Sequence, residues 1–430
     1  MTFSGLPPTA LVPVEAGPVL SLKERDRRWN GLRAEMRKQD VQALVVGSFQ
    51  GRERLESYLI DDFLDSVAIL THDAPVTVVT FSPSRLSRVY ESERRGIEPW
   101  VTDYRIAGGG AGVGAVLRER GLDRARIGIV GYGPTAPGEM EGQLPHGFHR
   151  SPSGSVQQAE LVDFTCAYTD FILVKSDEEL ALLRFAARVS EQASHVMAEV
   201  ARPGVSEALM YAEVLREIHR LGCDRRYPFM SLQSGADNIA WGAPRWTLRA
   251  EPPRILQRGD VVQTEIHTLY GGQEAQVQMC VALDPVDPVL LRCEQAARAS
   301  YEAGIAAVRP GATFADVVHA MERPLAESGC WSKTPLLHTL TFGATGFTPV
   351  NREQLAGTRE GAIEGPVKAG IRRGDLVLRE GMSLELEPNA CLGTRRINIG
   401  AGVIVTRDGC EELNRFPTRM FHATEDVVLS

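Results

Sequence analysis

RPGVSEALMYAEVLREIHRLGC at residues 202–223 is matched by RPGATFADVVHAMERPLAESGC at residues 309–330. Each copy opens with a Pro-Gly turn and continues with a residue suited to cap a helix, Ser206 or Thr313. Apolar residues at helical spacing follow, and each copy closes at Gly-Cys. The second copy begins 107 residues after the first, and two copies are too few for a stacked repeat protein. The pattern therefore predicts a domain built from two related halves.

The composition is that of an ordinary globular protein. The 430 residues are 43% hydrophobic and 24% charged, which is enough for two or three domains with a buried core. A net charge of -8 gives no electrostatic attraction to nucleic acid or to an anionic membrane. No apolar run has the length of a membrane span, and the N-terminal segment lacks the pattern of a secretory signal. We therefore expect a cytoplasmic protein without nucleic-acid or membrane partners.

The seven cysteines are dispersed and form no Cys-x-x-Cys pair. An odd number at irregular spacing indicates neither a disulfide framework nor a zinc site. We expect reduced and mostly buried thiols.

The first part of the chain predicts an α/β domain, which we place at residues 1–165. Ser21 and Glu24 have the spacing of a capping box at the start of a helix. Short apolar runs that predict strands lie at residues 43–46, 67–70, 76–79 and 127–130. The segment 131–154 is rich in Gly, Pro and Ser and predicts a long loop near the domain boundary.

The remaining chain, residues 166–430, predicts a second domain. Ser176 and Glu179 form another capping-box pattern, which opens a long amphipathic helix that ends near Val200. The two halves of the repeat follow this helix. Strands are predicted at residues 261–269, 273–283, 383–390 and 402–406.

Five landmarks of the second domain occur in the order found in one enzyme superfamily. They are Lys175-Ser176 with Glu179, Ser234-Gly235, Gly259-Asp260-Val261-Val262, Gly381-Met382 with Glu387-Pro388, and Val405-Thr406 with Asp408-Gly409 and Glu412-Leu413. With these landmarks the chain resembles the creatinase and aminopeptidase P superfamily. The resemblance implies an α/β (α+β) fold in which a creatinase-like α/β domain precedes a pita-bread domain of two pseudo-symmetric halves. The duplicated block agrees with that implication.

The metalloenzymes of this superfamily bind two divalent ions with two aspartates, a histidine and two glutamates, and this chain departs from that set. By the resemblance, the aspartate positions hold Glu265 and Gln276, and the last glutamate position holds Gly400. Glu387 of the Glu-Pro pair is retained. Because two close cations need several carboxylates, we expect no metal cofactor. A single divalent ion held by Glu265, Glu387 and His338 stays open as an alternative.

The histidine and arginine positions of the superfamily also differ in this chain. His338 is the only histidine near the metal-binding position, but the spacing fits equally well if that position has become Phe342 or Gly346. The arginine position holds Asn398. A second histidine position falls near Trp241, where the chain has no histidine.

Strand alternation predicts a polar pocket at the same place. Glu274, Gln276 and Gln278 share one face of their strand, and Glu265 and His267 share a face of the preceding strand. A merely solvated polar face is the alternative. Freed from a metal, the carboxylate of Glu265 is suited to act as nucleophile or general base.

We expect Glu265, Glu387 and His338 to be the catalytic residues, with His338 as proton shuttle. Glu385 and Glu387 share a strand face, so their pKa values should separate into an acid and a base. Trp241 is suited to wall the pocket, and the two arginines are suited to grip a substrate carboxylate. The expected substrate-binding residues are thus Gln276, Gln278, Glu385, Trp241, Arg395 and Arg396.

The resemblance then implies a metal-independent, creatinase-like hydrolase that cleaves a C–N bond in a small polar nitrogenous metabolite. Creatine is not the expected substrate, because creatinase's second substrate-contacting glutamate falls on Gln278. Three alternatives stay open, namely a non-catalytic binding module, a single-metal hydrolase or lyase, and an Xaa-Pro peptidase-like enzyme. The resemblance also implies a homodimer, in which the loop at residues 48–54 reaches the partner's site.

Overall fold

Two large β-sheets, each covered by helices, organise the protein. The computed structural model describes residues 16–47, 55–62, 65–133, 147–148, 158–225, 230–340, 343–363 and 370–423. The loop predicted to reach a partner subunit, residues 48–54, lies outside this described part, as does most of the predicted loop 131–154.

The first domain is an α/β layer built on a six-stranded sheet. Its elements are α1 (Leu22–Lys38), β1 (Ala43–Gly47), α2 (Ser57–Ile60), β2 (Ser66–Thr71), β3 (Thr77–Thr80), α3 (Pro83–Arg94), β4 (Asp103–Ile106), α4 (Gly109–Glu119), β5 (Arg126–Val130), β6 (Glu160–Asp163) and α5 (Thr165–Leu173). The strand order is β4-β3-β2-β1-β5-β6, with β1 antiparallel to β2 and parallel to β5. All four strands predicted in this domain are confirmed.

The capping box predicted at the start of α1 is only half formed. The Ser21 hydroxyl accepts from the backbone N–H of Glu24, as expected. The Glu24 carboxylate does not return to the cap, because it accepts from Arg27 and Arg28 instead. The Ser21 N–H donates to the Glu178 carboxylate at 2.7 Å, which ties the helix start to the second domain.

The second domain follows without a break. Its elements are α6 (Asp177–Val200), α7 (Glu207–Arg220), β7 (Asp224–Arg225), β8 (Ser231–Ser234), α8 (Arg245–Leu248), β9 (Val261–Tyr270), β10 (Gln273–Ala282), α9 (Pro288–Ala307), α10 (Phe314–Glu327), β11 (Trp331–Ser332), β12 (Leu337–Thr339), β13 (Thr345–Phe347), β14 (Gly370–Arg372), β15 (Ser383–Leu386), β16 (Asn389–Leu392), β17 (Arg395–Asn398), β18 (Gly400–Val405), β19 (Cys410–Glu412) and β20 (Met420–His422).

The duplicated block forms two equivalent helices, α7 and α10, each 14 residues long. Ser206 and Thr313 are their N-caps, and each side chain accepts from a backbone N–H three residues on. The preceding glycines, Gly204 and Gly311, have φ angles of 90° and 85°, a left-handed conformation that favours glycine. Each cap residue also bridges to a later segment of its own half. The predicted pair of related halves is confirmed.

One continuous path of strands joins the halves, in the order β14-β13-β12-β15-β18-β10-β9-β7. Helices α6 and α7 pack on the apolar face of β9 and β10, and α9 and α10 pack on that of β15 and β18. The strands predicted at 261–269, 273–283 and 402–406 are confirmed, the last beginning at Gly400. The single strand predicted at 383–390 is wrong, because it splits at Glu387-Pro388 into β15 and β16, which belong to different sheets. Proline has no N–H for a strand ladder, so pairing ends there.

Helix α5 and a buried ion-pair network connect the two domains. Tyr168 and Ile172 of α5 pack in the core of the first domain, so the expected boundary after residue 165 cuts this helix behind its first residue. Arg28 of α1 donates to Glu24 at 2.7 Å and to Glu179 of α6 at 3.1 Å. The Ser176–Glu179 capping box that opens α6 is complete, as predicted.

Candidate active site

One face of the β9–β10 hairpin is a buried polar layer. The register pairs Glu265 with Gln278 and His267 with Gln276, so these four side chains share a face. None is more than 8% exposed. The opposite face carries apolar residues that pack against α6 and α7, among them Val262, Ile266, Val277 and Met279. The polar face is therefore enclosed by protein rather than solvated.

Glu387 receives two hydrogen bonds from this layer. It follows the last residue of β15, and its side chain is almost completely buried. Gln278 Nε2 donates to Glu387 Oε2 at 2.7 Å, and Gln276 Nε2 donates to the same oxygen at 3.2 Å. The contact is possible because β18 lies between β10 and β15 in the sheet. The carboxylate of Glu387 thus accepts from two neutral amides. One of them, Gln276, stands where the superfamily has an aspartate by the resemblance.

His338 lies beside Glu387 and has a defined tautomer. It is 2% exposed and stands opposite Glu385 in the β12–β15 ladder. Its Nδ1 lies 3.0 Å from the carbonyl oxygen of Thr339, and because a carbonyl only accepts, Nδ1 carries a proton. Its Nε2 lies 3.5 Å from Glu387 Oε1. Nε2 is therefore the ring nitrogen that gains or releases a proton on the side of the carboxylate.

Glu265 is held by an indole and flanked by a histidine. Trp241 Nε1 donates to both carboxylate oxygens, at 2.7 and 2.8 Å. The Trp241 side chain is 50% exposed, so it stands between Glu265 and solvent. His267 Nε2 lies 3.7 Å from Glu265, while its Nδ1 donates to Glu274 at 2.8 Å. The Glu274 carboxylate therefore orients the imidazole that faces Glu265.

Glu385 is a fully buried carboxyl group in the same layer. Among the described residues, neither of its oxygens has a hydrogen-bond partner. Gly402 lies opposite it in the ladder, and a Cβ there would come 3.2 Å from Glu385 Oε2. Burial raises the pKa of Glu385 well above its ordinary range, and the charges of Glu387, Glu274 and Glu265 raise it further. Glu385 therefore holds its proton to higher pH than an exposed glutamate does.

The two adjacent arginines have different surroundings. Arg395 forms ion pairs with Asp237 and Asp287, each at 3.0 Å, and no described contact joins it to the Glu387 cluster. Arg396 points to the opposite side of β17 and is 1% exposed. Its Nη1 donates to Asn389 Oδ1 at 3.2 Å. The structure thus brings Arg396 to the interior and engages Arg395 with two aspartates nearer the surface.

The pair of divalent ions that the resemblance implies does not fit this donor set. The N–H groups of Gln276 and Gln278 donate to Glu387 Oε2, so one of the two oxygens of this carboxylate faces donors and not a cation. A Cβ at Gly400 would lie 2.3 Å from the Leu386 carbonyl oxygen, so a glutamate at this position has no room. Within the described ranges, no three His, Cys, Asp or Glu side chains are arranged to hold a metal, and this includes Glu265, Glu387 and His338.

Two residues of the cluster were absent from the predicted catalytic and binding sets. His267 lies beside Glu265, and Glu274 in turn binds His267. The sequence pattern assigned both residues to strand faces but gave them no role. The signal that would have found them was the same alternation that selected Gln276 and Gln278. Of the predicted residues, the structure brings together Glu265 with Trp241, and Glu387 with Gln276, Gln278 and His338.

Comparison with known proteins defines the family. Residues 181–407 match the model of metallopeptidase family M24. This match spans more than half of the chain, and the chain belongs to that family.

Three similar proteins each cover more than nine-tenths of this chain. A creatinase from Bacillus sp. (strain B-0618) is 25% identical over 417 residues, which are 93% of this chain and 92% of the relative. A prolidase from Pyrococcus horikoshii OT3 has a TM-score of 0.69 at 15% identity, covering 91% of this chain and 99% of that one. An Xaa-Pro dipeptidase from Bacillus anthracis also has a TM-score of 0.69, at 16% identity, covering 93% and 99%. The predicted superfamily and its pita-bread fold are confirmed.

No helix in the described part of the chain combines the length and the apolar character needed to cross a bilayer.

Proposed function

We propose that the protein is a metal-independent hydrolase that cleaves a C–N bond in a small polar nitrogenous metabolite. The observation that carries the proposal is the pair of amide hydrogen bonds to Glu387 Oε2. They give this buried carboxylate neutral donors in place of a cation, so it keeps its negative charge for acid/base chemistry. The family membership and the similarity to a creatinase over nearly the whole chain support a hydrolase.

His338 and Glu387 form the proton-transfer pair in this proposal. With Nδ1–H fixed on the Thr339 carbonyl, His338 exchanges protons through Nε2, which lies 3.5 Å from Glu387. Hydrolysis of a C–N bond requires a proton on the departing nitrogen, and the imidazolium form of His338 donates it. Glu387 stabilises that imidazolium by its negative charge.

Glu265 acts on the carbon side of the bond. It either attacks the carbon as a nucleophile or takes a proton from the attacking water. The Trp241 indole fixes the position of both oxygens, and the Glu274–His267 pair places a second imidazole 3.7 Å away. Positioned groups of this kind supply much of the rate gain in enzymes, because the reacting atoms are held in place before the reaction.

The test is a substrate screen with the wild type against cyclic amidines, guanidino acids and proline dipeptides. The dipeptides are included because the prolidase and Xaa-Pro dipeptidase folds are so similar. Any hit is followed by intact-protein mass spectrometry with a slow substrate. An ester-like adduct identifies Glu265 as nucleophile, whereas turnover without an adduct leaves it as general base.

Glu265→Asp separates an enzyme from a binding module. Shortening the side chain moves the carboxylate by about 1 Å, which costs roughly 10²-fold in turnover. Glu411→Asp is the matched control, because Glu411 pairs with Arg184 near the surface. If the wild type and Glu265→Asp bind the ligand equally and neither turns it over, the protein is a non-catalytic binding module, and that result rejects the proposal.

The homodimer stays a prediction. Light scattering of the purified protein tests it.

A further inference from the structure

Arg396 is a buried arginine with little internal compensation. It is 1% exposed, and the one hydrogen bond that it forms with the described residues runs from Nη1 to Asn389 Oδ1. Among the described residues its Nε has no acceptor, and no carboxylate forms an ion pair with it. A buried charge is costly unless it is paired and hydrogen-bonded. Among the described residues, the guanidinium therefore has an Nε donor without an acceptor, and its charge is not offset by a direct ion pair.

The donors of Arg396 are held in place by a fixed amide. Asn389 Nδ2 donates to Thr334 Oγ1 at 2.6 Å and to Asn398 Oδ1 at 2.7 Å. This leaves Asn389 Oδ1 directed to the guanidinium, which is thereby oriented. Asn398 is the position where the superfamily has its arginine, so this chain carries a guanidinium two residues earlier on the same strand face.

Arg396 lies beside the candidate active site. Strand β17 packs next to β9 and β10, which carry the polar layer. Glu265 and Cys280, both on the polar face of that hairpin, lie close enough to act on the charge of Arg396. Burial lowers the pKa of Arg396 below its ordinary value, but a guanidinium stays charged at neutral pH.

The other end of the polar layer contains buried acceptor oxygens that lack a hydrogen-bond donor among the described residues. Among the described residues, Gln276 Oε1, Gln278 Oε1 and both oxygens of Glu385 have no donor, although all are buried. The site thus has acceptors and carboxyl groups around Glu387 and a cation at Arg396. A molecule with N–H groups at one end and an anion at the other complements both ends.

We propose that Arg396 binds a carboxylate of the substrate, so that the substrate is a small zwitterionic acid whose nitrogen end lies at Glu387 and His338. The assignment of the nitrogen end rests on the proposed function, whereas the anion subsite does not. Arg396 is a substrate-anchoring residue, and Arg395 is not part of the subsite, because Asp237 and Asp287 already bind it.

Calorimetry with matched ligands tests the subsite without requiring turnover. The probes are guanidinoacetate, 4-guanidinobutyrate and Ala-Pro, each compared with its carboxamide. We expect the wild type to bind at least one acid about 10-fold or more tightly than its amide, since a charged hydrogen bond is lost in the amide. Arg396→Gln should weaken binding of that acid on the order of 10²-fold and leave the amide unchanged, and Arg396→Lys should restore part of the preference.

Arg184→Gln is the control, because Arg184 is a partly exposed arginine paired with Glu411, and it should bind the acid as the wild type does. A wild type that prefers no acid over its amide overturns the proposal. So does an Arg396→Gln variant that retains the wild-type preference. Preference for the acid with no turnover of any probe keeps the anion subsite and rejects the hydrolase instead.

Thermal unfolding tests whether Arg396 has a purely structural role. Without ligand, Arg396→Met should have an unchanged or higher midpoint temperature, because the substitution removes an uncompensated buried charge. The saturating acid should raise the midpoint of the wild type and not that of the variant. If Arg396 instead only balances Glu265, the variant unfolds at lower temperature and the acid stabilises both proteins equally, which contradicts the proposal.

Discussion

Glu387 is the residue on which the proposed chemistry depends most. Glu387→Gln keeps the size of the side chain but removes the charge that faces His338 Nε2. We expect turnover of any substrate found in the screen to fall by about 10² or more, with little change in thermal stability. Glu411→Gln makes the same chemical change at the partly exposed Arg184 pair and should keep normal turnover. Near-normal turnover of Glu387→Gln excludes Glu387 from the chemistry.

Glu385 gives a second prediction at the residue scale, in the pH dependence of stability. Its pKa in the folded protein lies above the ordinary value of 4.5, so the unfolded chain releases this proton at lower pH than the folded protein does. The stabilising effect of the neutral carboxyl is complete below about pH 4.5 and is lost as the pH rises toward the folded pKa. Glu385→Gln removes this loss.

The variant should therefore be more stable than the wild type at neutral pH, and the difference should shrink toward zero near pH 4. Urea unfolding of both proteins at the two pH values measures it. A difference that is the same at both values contradicts a raised pKa.

Much of the site at this scale was predictable, and the reason is the two-residue period of strands. Alternation placed Gln276 and Gln278 on one face of β10 and Glu265 with His267 on one face of β9, and the register shows that the two faces coincide. The hydrogen bonds from these amides to Glu387 were not predictable, because they join residues 109 and 111 positions apart. Their formation depends on β18 lying between β10 and β15, which no local pattern encodes.

At the scale of elements, strand β18 decides how much room the site has. Gly400 and Gly402 face Gln278 and Glu385 in the ladders, where the superfamily position at 400 would carry a glutamate. A Cβ at Gly400 would lie 2.3 Å from the Leu386 carbonyl oxygen and 2.9 Å from Glu387 Cα. Both contacts are with backbone, which cannot move aside without shifting Glu387.

Gly400→Ala should therefore lower the free energy of unfolding by about 1–3 kcal/mol, the usual cost of overpacking. Gly409→Ala is the control, because a Cβ there would meet no atom within 4 Å. Chemical denaturation of the two variants gives the comparison. Equal stability of the two proteins would show that β18 has the room for a larger side chain, and with it for the missing glutamate.

The helices were easier to predict from the sequence than the strand boundaries. Ser206 and Thr313 are local cap signals followed by amphipathic spacing, so α7 and α10 could be found without tertiary information. The strand at 383–390 was misjudged because apolar alternation continues through Glu387-Pro388, while the missing N–H of Pro388 ends the pairing. The capping box at Ser21 is incomplete because the Glu24 carboxylate accepts instead from Arg27 and Arg28, which lie three and four residues further along the same helix.

At the scale of the whole molecule, the duplicated helix pairs form a frame that holds the polar layer. Each half packs its helices on the apolar face of its strands, which leaves the opposite faces to meet around Glu265, Glu387 and His338. The chain thus has the fold of the metallopeptidase family, while two amides, Gln276 and Gln278, meet the central carboxylate of Glu387. Our proposal is that this family member performs hydrolysis with carboxylates and histidines alone.

Elemental analysis of the purified protein, with turnover measured before and after treatment with a chelator, tests that claim most directly. We predict less than about one equivalent of any transition metal per chain and no change in turnover or stability on chelation, because the donors for two ions are missing. Two tightly bound ions per chain, lost together with activity on chelation, would contradict the account.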